Sequence, residues 1–244
     1  AWRAAENLRN WCRQVELHPN TVKPFSSLEQ IISRTALGRL HPPRPIDLDY
    51  LTSTERELIN GNLPNLSEMS RLAIVDIDGV LVSLWPTLKD LWQTRQFSPQ
   101  AVREIIERNK PHWTALQPLG DIARRVDKLV FWTSRFSPKK APALFSNFGS
   151  FDAFPYLSQP KVKKIEENFF PGKTEVIAGE IKGLGKSGFS RVAKIIEELD
   201  DPYIVYIGSS WFDIRRFKNL INFLREKEMP FDRFVFCTNG HLVL

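Results

Sequence analysis

The sequence has 244 residues, 42% of them hydrophobic and 25% charged, with 12 Gly and 17 Pro, which excludes a collagen-like or disordered chain and allows a sizeable core. Lys and Arg number 34 against 28 Asp and Glu, a net charge of +6. No apolar run approaches the ~18 residues of a membrane span, no charged-then-apolar signal segment opens the chain, and Cys12 and Cys237 stand too far apart in sequence for a zinc-type pair. These features predict a soluble α/β protein of the cytoplasm, with no membrane partner.

The charge is unevenly spread. Residues 1–69 carry eight basic and eight acidic side chains, so the whole excess falls in 70–244. Within that part, 128–194 holds twelve basic and five acidic residues. A basic sector suits an anionic partner, either a phosphate ester or a nucleic acid. A solvated Lys-rich helix face explains the same composition equally well.

In chain order, 2–17 reads as a helix on the spacing of Trp2, Leu8, Trp11 and Cys12, a stripe expected to pack on the rest of the protein. A second helix is predicted over 26–39, opened by Ser26 or Ser27 with Glu29 close behind. His41-Pro42-Pro43-Arg44-Pro45 cannot continue a helix and reads as a linker or ordered turn. A short helix near 53–59 follows, then a polar loop to Ser70. From Leu72 the texture changes to unbroken apolar runs: 72–75, 129–132, 176–178, 203–207 and 234–236. Helical patterns separate them near 86–95, 99–109, 119–127, 187–199 and 213–227. Alternation of this kind predicts βαβ units and a Rossmann-like, mostly parallel sheet flanked by helices. The expected organisation is a helical extension over 1–69 and an α/β domain over 70–244.

Ligands of such sheets sit beyond the carboxyl ends of the strands, so the residues just after each run carry the functional reading. The first run ends in Asp76-Ile77-Asp78-Gly79. Two carboxylates two positions apart can share a side, one attacking phosphorus while the other shuttles the leaving group's proton. Gly79 lets the chain turn away, although Asp and Gly also make ordinary turns. The second run ends in Thr133-Ser134-Arg135, where a hydroxyl and backbone N–H groups could hold a phosphoryl oxygen, or where Thr133 simply caps a helix. Lys186, in Gly183-Leu184-Gly185-Lys186-Ser187-Gly188, opens a helix and could neutralise developing charge. Asp213, in Gly208-Ser209-Ser210-Trp211-Phe212-Asp213, could complete a Mg²⁺ site with Asp76 and the carbonyl of Asp78.

The order Asp-x-Asp-Gly, strand-Thr, Lys, Gly-x-x-x-x-Asp resembles the haloacid dehalogenase superfamily of phosphohydrolases, over roughly Arg71 to the C-terminus. The resemblance implies Asp76 as the nucleophile that forms an aspartyl-phosphate, Asp78 as general acid and then base, and Lys186 as the group that steadies the phosphoryl. It implies Thr133, with Ser134 and Gly79, as substrate-binding, and Asp76, Asp78 and Asp213 as the Mg²⁺ site. The substrate would be a phosphorylated small molecule or macromolecule. A small helical cap insert is expected around 84–116, where Trp85, Trp92 and Trp113 are as well explained by core packing as by stacking on a substrate. The chain departs from the family at Ser209, where an acid is usual. That departure keeps a second reading open, a non-catalytic member that binds a phosphorylated ligand, a nucleic acid or a protein. No nucleic-acid module is present in the sequence.

Gly183-x-Gly185-x-x-Gly188 also matches a dinucleotide fingerprint in form. The next strand ends in Ile207-Gly208-Ser209 without the acid that would hold a ribose, and too little chain follows for the rest of such a fold. A P-loop would need a glycine at Glu180.

Overall fold

β-Branched and aromatic runs form the strands of one sheet in a computed structural model of the chain, which describes residues 2–39, 44–64, 66–76, 79–81, 93, 113–132, 174–177 and 186–239. The strands are β1 (Val22–Phe25), β2 (Arg71–Val75), β3 (Lys128–Trp132), β4 (Thr174–Ile177), β5 (Tyr203–Gly208) and β6 (Phe234–Asn239). Their order is β1-β6-β5-β2-β3-β4, and every pairing is parallel. The helices are α1 (Trp2–Gln14), α2 (Leu28–Ser33), α3 (Ser53–Asn60), α4 (Trp113–Arg124), α5 (Lys186–Glu198) and α6 (Trp211–Glu226).

All-parallel sheets need helices on both faces, and the strand residues sort accordingly. Ala73, Val75, Phe131, Val205 and Ile207 pack with residues of α2, α3 and α4. Leu72, Ile74, Val130, Trp132, Ile204 and Tyr206 pack with residues of α1, α5 and α6. The expected α/β architecture is therefore present, and all five predicted strands lie where the apolar runs are.

The reading of 1–69 as a helical extension did not include β1. Val22-Lys23-Pro24-Phe25 adds an edge strand in register with Phe236 to Asn239. A Pro inside so short a run argues against a central strand, but an edge position leaves its missing donor without consequence. The predicted helix over 26–39 is a shorter α2 followed by a 3₁₀ turn over Ala36–Arg39. Helix α4 starts earlier than the pattern at 119–127 indicated and runs through Pro118. Apart from Gln93 and the start of α4, the expected cap around 84–116 lies outside the described residues. Among the described residues no helix is long and apolar enough to cross a membrane.

Chain order reverses direction beside β2. The chain proceeds β2, β3, β4 toward one edge, and β5 and β6 then lie on the other side of β2. The crevice beyond the carboxyl ends of β2 and β5 is thus the topological switch point, the position at which open α/β sheets bind ligands.

Candidate active site

Asp76 follows β2 directly, its N–H donating to the carbonyl of Ile207 on β5 at 2.9 Å. It continues the face occupied by Leu72 and Ile74, toward α6, and is 5% exposed. Across the switch point, β5 ends at Gly208 and α6 begins after Ser210. A side-chain Cβ on Gly208 would lie 2.5 Å from the Cβ of Asp213, so this close approach of strand end to helix requires glycine. Gly79 has φ +81°, and a Cβ there would lie 2.1 Å from Ser209 Oγ. Gly79 therefore serves a left-handed turn that is pressed against the loop after β5.

Asp213 has a structural task that accounts for its position. It forms a reciprocal capping box with Ser210, accepting from Ser210 N at 2.9 Å while Asp213 N donates to Ser210 Oγ at 3.2 Å. Asp213 Oδ2 also accepts from Ser209 N at 3.0 Å and Ser210 Oγ at 2.7 Å. The acid thus complements the positive end of a sixteen-residue helix.

Between the two carboxylates lies a residue that the sequence reading passed over. Arg216 Nη1 is 3.3 Å from Asp213 Oδ1 and 3.6 Å from Asp76 Oδ1, and the Arg216 side chain is 1% exposed. The same nitrogen donates to the carbonyl of Trp132 at 3.1 Å and to Tyr206 Oη at 3.3 Å. The guanidinium lies over the Trp132 ring, 5.2 Å from its centroid. Burial works against its charge, but the hydrogen bond to Tyr206 and the charges of Asp76 and Asp213 outweigh that and raise its pKa above the ordinary arginine value. Burial also raises the Tyr206 phenol, so that residue is a neutral partner. Asp213 and Arg216 are one helical turn apart, and that i,i+3 spacing was the available signal in the sequence.

Of the other expected site residues, Asp78, Thr133 and Ser134 lie outside the described residues. Lys186 is the first residue of α5, as the pattern predicted, with its side chain outside the description. The structure therefore brings together Asp76, Gly79, Ser209, Asp213 and the unforeseen Arg216.

Mg²⁺ prefers a near-octahedral set of hard oxygens with water retained. The described donors do not fit such an ion as they stand. Asp213 Oδ2 is taken by Ser209 and Ser210, while Asp213 Oδ1 and Asp76 Oδ1 both face the Arg216 guanidinium. Among the described residues no group of three or more His, Cys, Asp and Glu is gathered for a metal.

The basic sector is partly neutralised where it is described. Lys128 and Arg191 flank Glu175 at 3.6 and 2.5 Å, and Lys194 lies 3.6 Å from Glu198. These three residues are thus paired with acids, Lys128 at the start of β3 and the other two on α5.

No protein-family model matches the chain, and no curated protein matches it. Among solved structures, phosphoserine phosphatase in its apo form is similar at 14% identity and a TM-score of 0.37, over 71% of this chain and 95% of that one.

Proposed function

We propose that the chain is a phosphohydrolase in which Asp76 attacks the phosphorus of a phosphorylated substrate. The observation that carries this reading is the place of Asp76. It follows the central strand β2, at the switch point, and its carboxylate is fixed beside Arg216. In the first step an Asp76 carboxylate oxygen bonds to phosphorus as the ester P–O bond breaks, and the leaving oxygen takes a proton from Asp78. In the second step Asp78 accepts a proton from water, whose oxygen bonds to phosphorus as the Asp76–phosphorus bond breaks and inorganic phosphate departs. Lys186, at the start of α5, would steady the phosphoryl charge, and Thr133 with Ser134 would hold its oxygens. Mg²⁺ enters this proposal on the resemblance, and a cytoplasmic setting on the free thiols of Cys12 and Cys237. The substrate is a phosphorylated small molecule or macromolecule.

A second reading is favoured by two residues. Ser209 stands where the resemblance expects an acid, and Arg216 already balances charge at the carboxylate pair. Both suit a member that binds a phosphorylated ligand without turnover. Phosphate release from an aryl phosphate, with and without Mg²⁺, separates the readings. The enzyme should release phosphate, and Asp76→Asn should abolish it. Binding of phosphorylated ligands without release, across a panel of esters, would favour the second reading.

A further inference from the structure

We infer that Arg216 is a built-in counter-cation of the Asp76–Asp213 pair and that it lowers the affinity of that pair for a divalent metal ion. Two carboxylates meeting at the switch point, one just after β2 and one in the first turn of α6, would by themselves attract a cation strongly. Here the bridging position is held by a guanidinium nitrogen, 3.3 Å from one carboxylate and 3.6 Å from the other. An arginine does not lose its proton at any working pH, so the site cannot discard this charge by titration. Nor is the side chain loosely held. It is tied to the Trp132 carbonyl and the Tyr206 hydroxyl, packed over the Trp132 ring and 1% exposed. Swinging it out would break contacts to β3, β5 and α6 together.

A second source of positive potential acts on the same pair. Asp213 Oδ2 faces backbone N–H groups at the start of α6, where the helix dipole has its positive end. An incoming metal ion would have to compete with a full charge on one oxygen of Asp213 and with oriented N–H groups on the other. Ser209, pressed against Gly79 where a third acid is expected, adds no charge to offset this. The inference rests on these contacts and holds whether or not the chain hydrolyses phosphate esters.

The test is a Mn²⁺ titration of the full chain without substrate, with free Mn²⁺ read by its paramagnetic resonance signal. Arg216→Met, which removes the charge but retains an apolar stem for the Trp132 ring, should bind Mn²⁺ about ten-fold more tightly than wild type, or better. Arg216→Lys, which keeps the charge, should stay within about three-fold of wild type, and Asp76→Asn in the Arg216→Met background should remove the gain. Equal affinities in wild type and Arg216→Met would overturn the inference. If Arg216→Met does not fold, Arg216→Gln, which removes the charge and keeps a donor for the Trp132 carbonyl, takes its place: a gain of about ten-fold over wild type bears the inference out, and equal affinity overturns it.

Discussion

Lys23 Nζ lies 2.8 Å from Glu55 Oε2, and both side chains are only 1% exposed. The pair joins the edge strand β1 to helix α3. Glu55 serves further partners, accepting from Thr52 N at 2.8 Å, Ala36 N at 3.0 Å and the Tyr203 hydroxyl on β5. One carboxylate thus connects three parts of residues 1–69 to the sheet. Burial is the main cause that lifts the Tyr203 phenol well above its usual range, and the facing Glu55 charge adds to it. Tyr203 is therefore a hydrogen-bond donor to Glu55 at any working pH.

Removing one member of a buried pair leaves the other charge uncompensated, at a cost of about 3–5 kcal/mol. Glu55→Ala should lose stability of that order in urea unfolding. Lys23→Met combined with Glu55→Gln should recover much of it, because Gln keeps an acceptor for Tyr203 and Ala36 while the lone cation is gone. Loss of less than about 1 kcal/mol in Glu55→Ala would mean that the pair does not hold β1 to the sheet.

Gly79 combines a left-handed φ of +81° with a Cβ position 2.1 Å from Ser209 Oγ. Gly79→Ala should destabilise the protein by about 1–3 kcal/mol, with the turn after Asp76 displaced. Adding Ser209→Gly removes the clash but not the backbone strain, so it should restore part of the loss. Denaturant midpoints of the two variants measure the split directly, and full restoration would show that φ carries no cost.

Cys12 and Cys237 are buried, and burial pushes their thiols up to about 11 and about 12. Neither should react with a thiol reagent at pH 8 in the folded protein, and both should react once it is denatured. The same shifts set a direction for alkaline stability. A thiol with a raised folded pKa contributes stability that is complete below its unfolded value of 9.0, and that contribution is lost as pH rises toward about 11 and 12. Unfolding free energy should therefore decline above about pH 9, and a Cys12→Ala/Cys237→Ala variant should decline less steeply.

The strands β2 to β6 were legible because each is an unbroken apolar run, the signature of a strand covered on both faces. Asp76 was legible as a strand-end acid and Asp213 as an acid in the segment after β5, although the Ser210-x-x-Asp213 capping box could also have been read and assigns Asp213 a helix-capping task. Strand β1 was hidden because Lys23 and Pro24 break the usual pattern, and their places are explained only by a distant glutamate and an edge position. Arg216 was hidden for a similar reason. A basic residue in an amphipathic helix reads as a surface group, and what buries it is a carbonyl on β3 and a carboxylate after β2. Lys23 is neutralised by a partner far away in sequence; Arg216 has a local partner in Asp213, but its contacts to Asp76 and Trp132 are distant ones that local periodicity does not register.

Attack by Asp76 leaves a covalent aspartyl-phosphate, and trapping that bond tests its role as nucleophile. The protein should be mixed with an aryl phosphate, quenched early, reduced with borohydride and digested for mass spectrometry. An aspartyl-phosphate is reduced to homoserine, and that conversion is expected at Asp76, absent from Asp76→Asn and from samples without substrate. Phosphate release with Asp76 unmodified at every quench time, or homoserine at another aspartate, would contradict it.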